Sequence, residues 1–288
     1  MTQYNKLKQL DSYVQIHLAV LLFGGASLFG KWIDLPATGI VQGRTGIAFI
    51  FLFFYLRLIQ KNLLISSVGQ LISYILSGSI LAFHWFAFFY CIQLTDITTA
   101  VLTFSTFPVF TSFLEPLFFK TGFSVKNILI SMLCVLGVYF ISPMDQPGSV
   151  VLVGFIWGLL SGFSFSVLAL INKHQIRSNY SLCISMYQNL FAFLVLSILY
   201  PTALGDINTD NIILLIVLGI LFTGVAHSLF IQSLQSLSAQ TTSIIASLEP
   251  IYAIGLASVI FQDHISMNEW IGGSIILLAV FLISQNTD

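Results

Sequence analysis

Ten apolar stretches, each near the length a helix needs to cross a bilayer, follow one another with only short polar punctuation between them. Their approximate limits are 13–31, 38–58, 68–94, 97–119, 124–142, 150–172, 181–200, 211–235, 239–261 and 267–284. An α-helix needs about 20 residues to cross about 30 Å of hydrocarbon. The stretches are continuously apolar, without the polar-in and apolar-out alternation of a barrel strand, so helices are expected. Only 7% of the 288 residues are charged and the mean hydropathy is +0.96, whereas soluble domains carry about 25% charged residues. The expected fold class is therefore an all-α membrane protein with ten transmembrane helices. A net charge of -1 excludes a basic nucleic-acid surface, which leaves the lipid bilayer as the partner that composition implies.

Orientation follows from the basic residues of the loops. With the N-terminus inside, Lys6, Lys8, Arg57, Lys61, Lys120, Lys126, Lys173 and Arg177 fall on the cytoplasmic side, Lys31 falls outside and Arg44 lies within a span. Asp34, Asp96, Asp145, Asp206, Asp210, Asp263 and Glu269 fall on the opposite side. Both termini are expected in the cytoplasm of a bacterial cell, with the chain in the inner (plasma) membrane. Trp32, Tyr90, Tyr139, Tyr200 and Trp270 then lie near the outer interface and Tyr13, Tyr55 and Tyr180 near the inner one, as aromatic belts do. The first run has no small-x-small cleavage site before Lys31 and reads as a retained helix. Cys91, Cys134 and Cys183 have no C-x-x-C spacing, so they read as packing residues, and neither a disulfide, a metal nor a cofactor is expected.

The chain repeats itself. LGVYFIS at 136–142 recurs as LAVFLIS at 278–284, and the same offset of 142 sets Pro108 on Pro250 and Ser124 on Ser266. An offset of 143 sets His84 on His227 and Thr98-Thr99 on Thr241-Thr242. Two five-helix repeats, 1–146 and 147–288, are therefore expected. Five is odd, so the second starts from the other side of the membrane, which makes the repeats inverted. Such a chain has two nearly equivalent ways to open, one to each side, as a transporter requires.

TFPVFTSFLEPLFFK at 106–120 and SLEPIYAIGLASVIFQDHISMNEWIGGSIILLAVFLIS at 247–284 resemble the EamA-type branch of the drug/metabolite transporter superfamily, and the resemblance extends over nearly the whole chain. It implies ten helices, most of them around a central cavity, with the fifth and tenth at the periphery. It also implies transport of small metabolites, commonly export of amino acids or related compounds. The sequence departs from that pattern after the fourth helix, where KTGFS at 120–124 replaces a loop that usually carries an acidic residue.

Removing loops and interfaces leaves five embedded ionisable groups: Arg44, His84, Glu115, His227 and Glu249. Each costs up to several kcal/mol at the bilayer centre, so each is a functional candidate. Glu249 lies about ten residues from either end of its run, at the midplane. Pro250 removes a backbone donor beside it and is expected to kink the helix and free a carbonyl near residue 246, as Pro108 kinks the fourth span. Proton coupling, binding of a substrate amine, and a protonated carboxyl group bonded to a neighbouring helix are all open for Glu249. Arg44 needs a carboxylate or carbonyls, with Glu249 or a substrate carboxylate as candidates, and its symmetry-related position is Gln188. His84 and His227 read either as proton carriers or as donors to backbone carbonyls. Glu115, a turn from Lys120, reads as interfacial. Trp85 and Trp157 lie inside spans, where they either wall a cavity through stacking and cation–π contacts or simply pack. GGASLFG at 24–30 and GLLSGFSFS at 158–166 let helices approach closely, for static packing and for sliding alike.

GFSFS at 162–166 misses the nucleophile elbow G-x-S-x-G, no H-E-x-x-H occurs, and no G-x-x-x-x-G-K-[ST] binds nucleotide. An enzyme is not expected, and a gradient must drive transport. The expected activity is alternating-access export of a small-molecule substrate, an amino acid or related compound, with protons as a candidate coupling ion and a homodimer left open. Uptake or exchange of a nucleotide-linked or cofactor-like metabolite is the alternative within transport, and a channel-like facilitator is the alternative outside it.

Overall fold

The computed structural model describes residues 3–120, 122, 125–141, 149–205, 207–262 and 265–284. Ser124, Asp145, Asp206, Asp263 and the boundary between 146 and 147 lie outside the described residues, as do the side chains of Lys6, Lys8, Lys126 and Cys134. The helices in chain order are α1 (Gln3–Ala26), α2 (Phe29–Trp32), α3 (Ala37–Leu58), α4 (Val68–Leu94), α5 (Ile97–Phe104), α6 (Phe107–Phe119), α7 (Val125–Ile141), α8 (Val150–Gln175), α9 (Ser181–Leu199), α10 (Thr209–Gly219), α11 (Ala226–Ser233), α12 (Ala239–Ala246), α13 (Glu249–Phe261) and α14 (Met267–Ser284). A π-helical turn, Ile220–Val225, joins α10 to α11.

Among the described residues, eight helical stretches are long and apolar enough to cross a membrane: Gln9–Trp32, Ala37–Leu58, Val68–Leu94, Ile97–Phe119, Val150–Gln175, Ser181–Leu199, Thr209–Ser233 and Ala239–Phe261. They coincide with eight of the apolar runs. The fifth and tenth runs form α7 and α14, which pack against each other. There the backbones touch: a Cβ built on Gly272 would lie 2.6 Å from the Gly137 carbonyl oxygen, so only glycine permits that approach.

The fourth and ninth runs are broken rather than kinked. Asp96 accepts a hydrogen bond from the Thr99 amide at 2.7 Å and starts α5, and Ser238 accepts one from the Thr241 amide at 2.9 Å and starts α12. Eight residues on, the backbone leaves the helix at Ser105–Thr106 and again at Ser247–Leu248, with Pro108 and Pro250 in the first turn of the helix that resumes. Proline is tolerated there because a first-turn amide has no intrahelical partner to lose. Lys120 and Gln262 then end α6 and α13 in the left-handed conformation, at φ 56 and 57°. Each of these four correspondences, Asp96 with Ser238, Ser105 with Ser247, Pro108 with Pro250 and Lys120 with Gln262, lies 142 residues apart.

The helices enclose a core in which α4 lies against α8 and α9, and α1 lies against α11 and α13. Phe54, Leu58, Ile198 and Val259 point outward and are exposed, while Thr45, Ser77, Ser166, Asn172, Gln188, Asn189 and Ser243 are buried. Polar groups inside and apolar side chains outside suit a chain whose solvent is hydrocarbon, where every polar group needs an internal partner. Cys91 and Cys183 are buried free thiols.

Candidate functional site

At the centre of the bundle Arg44 from α3, His84 and Trp85 from α4, His227 from α11 and Glu249 from α13 border one cavity, walled by Phe23, Ala26, Phe88, Phe104 and Phe165. Arg44, His84, Trp85, His227 and Glu249 are all buried. The cavity leaves ≈ 30 Å³ in which the centre of a water molecule can move, room for a water or two and too little for an amino acid.

Arg44 is held from two sides. Its Nε donates to the Thr223 hydroxyl at 2.8 Å and its Nη2 to the Phe222 carbonyl at 3.2 Å. Thr223, within the π-helical turn, in turn donates from its side chain to the Leu218 carbonyl of α10 at 2.7 Å. The Thr223 hydroxyl thus links α3 to α10. The guanidinium carbon lies 4.0 Å from the centre of the Trp85 ring and 5.3 Å from that of Phe89, so both aromatic faces stabilise the cation. A guanidinium has five N–H donors, and these bonds occupy two of them.

Glu249 is the first residue of α13. The expectation of a mid-helix carboxylate beside a kink is corrected: the helix stops at Ser247–Leu248, and Glu249 sits at the positive end of a new helix dipole. Pro250 has no N–H to give the Ala246 carbonyl, which explains why the chain resumes as a separate helix. Arg44 acts electrostatically on Glu249 across the cavity, yet among the described residues no ion pair joins the two. Of the partners left open for Arg44, a carbonyl is present and Glu249 is not: a hydroxyl, a carbonyl and two rings hold the guanidinium.

The two histidines occupy corresponding positions but have different partners. His84 Nδ1 lies 3.0 Å from the Ser161 hydroxyl and 3.1 Å from the Ser161 carbonyl, contacts that tie α4 to α8. The Ser161 hydroxyl returns a bond to the His84 carbonyl at 3.2 Å. His227 Nε2 instead lies 2.9 Å from Gln188 Oε1, and its Nδ1 is buried without a partner. Gln188 thus stands one hydrogen bond behind the cavity, on α9.

Trp157 lies elsewhere. It packs on Phe83, Phe86 and Tyr90 with ring centres 5.4–6.0 Å apart, so of its two readings the structure gives simple packing, and Trp157 is not in the wall of this cavity. Glu115 accepts from the Gln240 amide at 3.1 Å and caps the start of α12, away from the cavity. Thr223 was invisible to charge-based reading, because a threonine inside an apolar run is ordinary. Its only signal is the small polar pair Thr223-Gly224 between bulky apolar residues.

A family model described as the EamA-like transporter family matches residues 12–142 and again residues 152–285. The chain belongs to the EamA-like transporter family. Its EamA-like sequence is 26% identical over 250 residues to an uncharacterized transporter, YxxF, of Bacillus subtilis (strain 168), covering 85% of this chain and 80% of the other. It is also 26% identical to an uncharacterized transporter of Archaeoglobus fulgidus (strain ATCC 49558 / DSM 4304 / JCM 9628 / NBRC 100126 / VC-16), over 66% of this chain and 68% of that one. A crystal structure described only as that of a protein superposes with a TM-score of 0.70 over 97% of this chain and 98% of its own, at 13% identity, which establishes a common fold. An EamA-like chain with these apolar helices is an integral membrane protein of a transporter family.

Proposed function

We propose that this chain is a secondary transporter of the bacterial inner membrane that exports a small metabolite, an amino acid or related compound, by alternating access. One observation carries the reading: four ionisable side chains from four helices meet in a central cavity that leaves their hydrogen-bonding capacity unfilled. Arg44 keeps spare donors, Glu249 has no described donor, and His227 Nδ1 has no partner. Buried polar groups are ordinarily satisfied, so a polar ligand or water completes the set. A carboxylate on Arg44 and an amine on Glu249 suit those charges. The cavity is too small for such a molecule, and the bundle must therefore open to admit it.

The reading includes ten spans arranged as two inverted five-helix repeats, 1–146 and 147–288, with both termini cytoplasmic. It is supported by the helix breaks and caps that recur at an offset of 142 and by a family model that matches twice. The breaks at Ser105–Thr106 and Ser247–Leu248 are the places where half-helices can tilt about a fixed centre. Glu249 is the group we assign to proton coupling.

The test uses purified protein in liposomes loaded with a mixture of amino acids and common metabolites, with a pH gradient imposed and the released compounds identified by mass spectrometry. Gradient-dependent release of one chemical class, lost in Glu249→Gln, is expected. Release of the same class by Glu249→Gln with unchanged pH dependence sinks the coupling role, and gradient-independent release points to a facilitator.

A further inference from the structure

The unpartnered nitrogen of His227 is the end of a chain of hydrogen bonds whose direction is fixed at its other end. The backbone carbonyl of Ser73 can only accept, and Gln175 Nε2 lies 3.2 Å from it and 2.8 Å from the Ser73 hydroxyl. The Gln175 amide is therefore oriented with its nitrogen toward α4, which turns Oε1 toward α9. There Gln188 Nε2 donates to Gln175 Oε1 at 3.1 Å and to Asn172 Oδ1 at 2.6 Å. The remaining atom of that amide, Gln188 Oε1, faces His227 Nε2 at 2.9 Å and accepts from it. The imidazole proton is thus held on Nε2, and Nδ1 keeps a bare lone pair. His227 is fully buried and lines the central cavity, and Nδ1 has no partner.

A bare acceptor locked in place from behind carries a chemical preference. We propose that His227, fixed as its Nε2–H tautomer by Gln188, is a specificity-determining residue whose Nδ1 receives an N–H or O–H of the transported molecule, so that the cavity favours solutes carrying a donor beside their carboxylate. This rests on the transport reading above. A solute with the same skeleton but no donor would leave the lone pair desolvated and unpaired, and sites built around a hydrogen bond discriminate strongly against such analogues.

The tautomer is read by 15N NMR of histidine-labelled protein in liposomes, with the His227 signal assigned by its absence in His227→Gln. A proton on Nε2 and a bare Nδ1 are expected without any added solute, and a proton on Nδ1 overturns the proposal. Binding is then measured with L-leucine and with 4-methyl-2-oxopentanoate, which share skeleton and carboxylate and differ in the amine. Wild type is expected to prefer L-leucine by roughly tenfold or more. In His227→Gln, whose amide still reaches Gln188 but offers nothing at the Nδ1 position, that preference falls to what Glu249 alone provides, and an unchanged preference overturns the proposal. Gln188→Leu, which releases the ring from its lock, is expected to lose the pure Nε2–H signal together with the preference. A wild type that binds the two solutes alike, or neither above empty vesicles, overturns the proposal. The outcomes separate from those of the transport reading, because the tautomer is observed with no solute present, whereas that reading fails when no loaded compound leaves the liposomes under a gradient.

Discussion

The guanidinium of Arg44 lies over the indole of Trp85, with its central carbon 4.0 Å from the ring centre. The two side chains come from α3 and α4, and both are buried. In this arrangement the indole is a neutral counterpart for a cation that has no ion-pair partner among the described residues. It holds the charge without consuming an N–H donor, so the donors not bonded to Thr223 and Phe222 stay free for an anionic ligand.

Replacing Trp85 should therefore weaken ligand binding in proportion to the aromatic face that remains. A desolvated cation–π contact is worth about 2 kcal/mol, so Trp85→Leu is expected to lower affinity for a carboxylate-bearing solute by about 30-fold, and Trp85→Phe by clearly less. Equilibrium binding of the exported solute to the purified variants measures both. Equal losses would mean that indole volume matters and its face does not.

Thr223 is expected to matter for stability more than an isolated threonine would. Thr223→Val keeps the shape but leaves the Arg44 Nε–H without its 2.8 Å acceptor, and an orphaned buried donor costs about 1–3 kcal/mol, more when charged. A lowered melting temperature in detergent is expected, whereas Thr223→Ser, which keeps the hydroxyl, melts close to wild type.

Two glycines should respond oppositely to one added methyl group. A Cβ at Gly78 on α4 would lie 2.7 Å from the Phe191 Cβ and 2.8 Å from the Gln188 carbonyl oxygen, while a Cβ at Gly255 on α13 meets nothing within 4 Å. Gly78→Ala is expected to destabilise by about 1–3 kcal/mol through separation of α4 from α9, the helix that carries Gln188. Gly255→Ala should be neutral or mildly stabilising, since alanine favours the helix. Thermal unfolding of the pair checks the α4–α9 packing directly.

Lys173 should hold the turn between α11 and α12. Its Nζ donates to the carbonyls of Leu234 and Leu237, each at 2.7 Å, and satisfies the end of α11. Lys173→Met retains the apolar stem but removes both bonds, each of them charge-assisted and worth about 1.5–3 kcal/mol. Faster hydrogen exchange of the amides at 233–240, with α4 and α9 unaffected, is the expected signature; uniform exchange across the protein would place the lysine's contribution elsewhere.

Which ionisable residues border the central cavity was largely legible in the sequence, because hydrocarbon makes charge expensive. Arg44, His84, His227 and Glu249 stood out from the apolar runs around them, and the structure gathers all four around one cavity. The run lengths located the helices for the same reason, since a backbone in lipid must satisfy its own hydrogen bonds. How the helices end and which faces meet was not legible. Proline at 250 is compatible with a kink or a break, and the choice is made where Ser247 and Leu248 leave the helix and Glu249 begins another. Trp85 and Trp157 are equally embedded tryptophans, and only the packing of α4 on α8 sends one to the cavity and the other to Phe83, Phe86 and Tyr90. The partner of Arg44 is 179 residues away, on a π-helical turn. The sequence by itself thus determined the membrane class, most of the spans and the charged residues of the site, since these follow from transfer energies local to each run. Only the tertiary structure decided the pairings, because a hydrogen bond or a stacked ring depends on distances of a few ångströms between helices far apart in the chain.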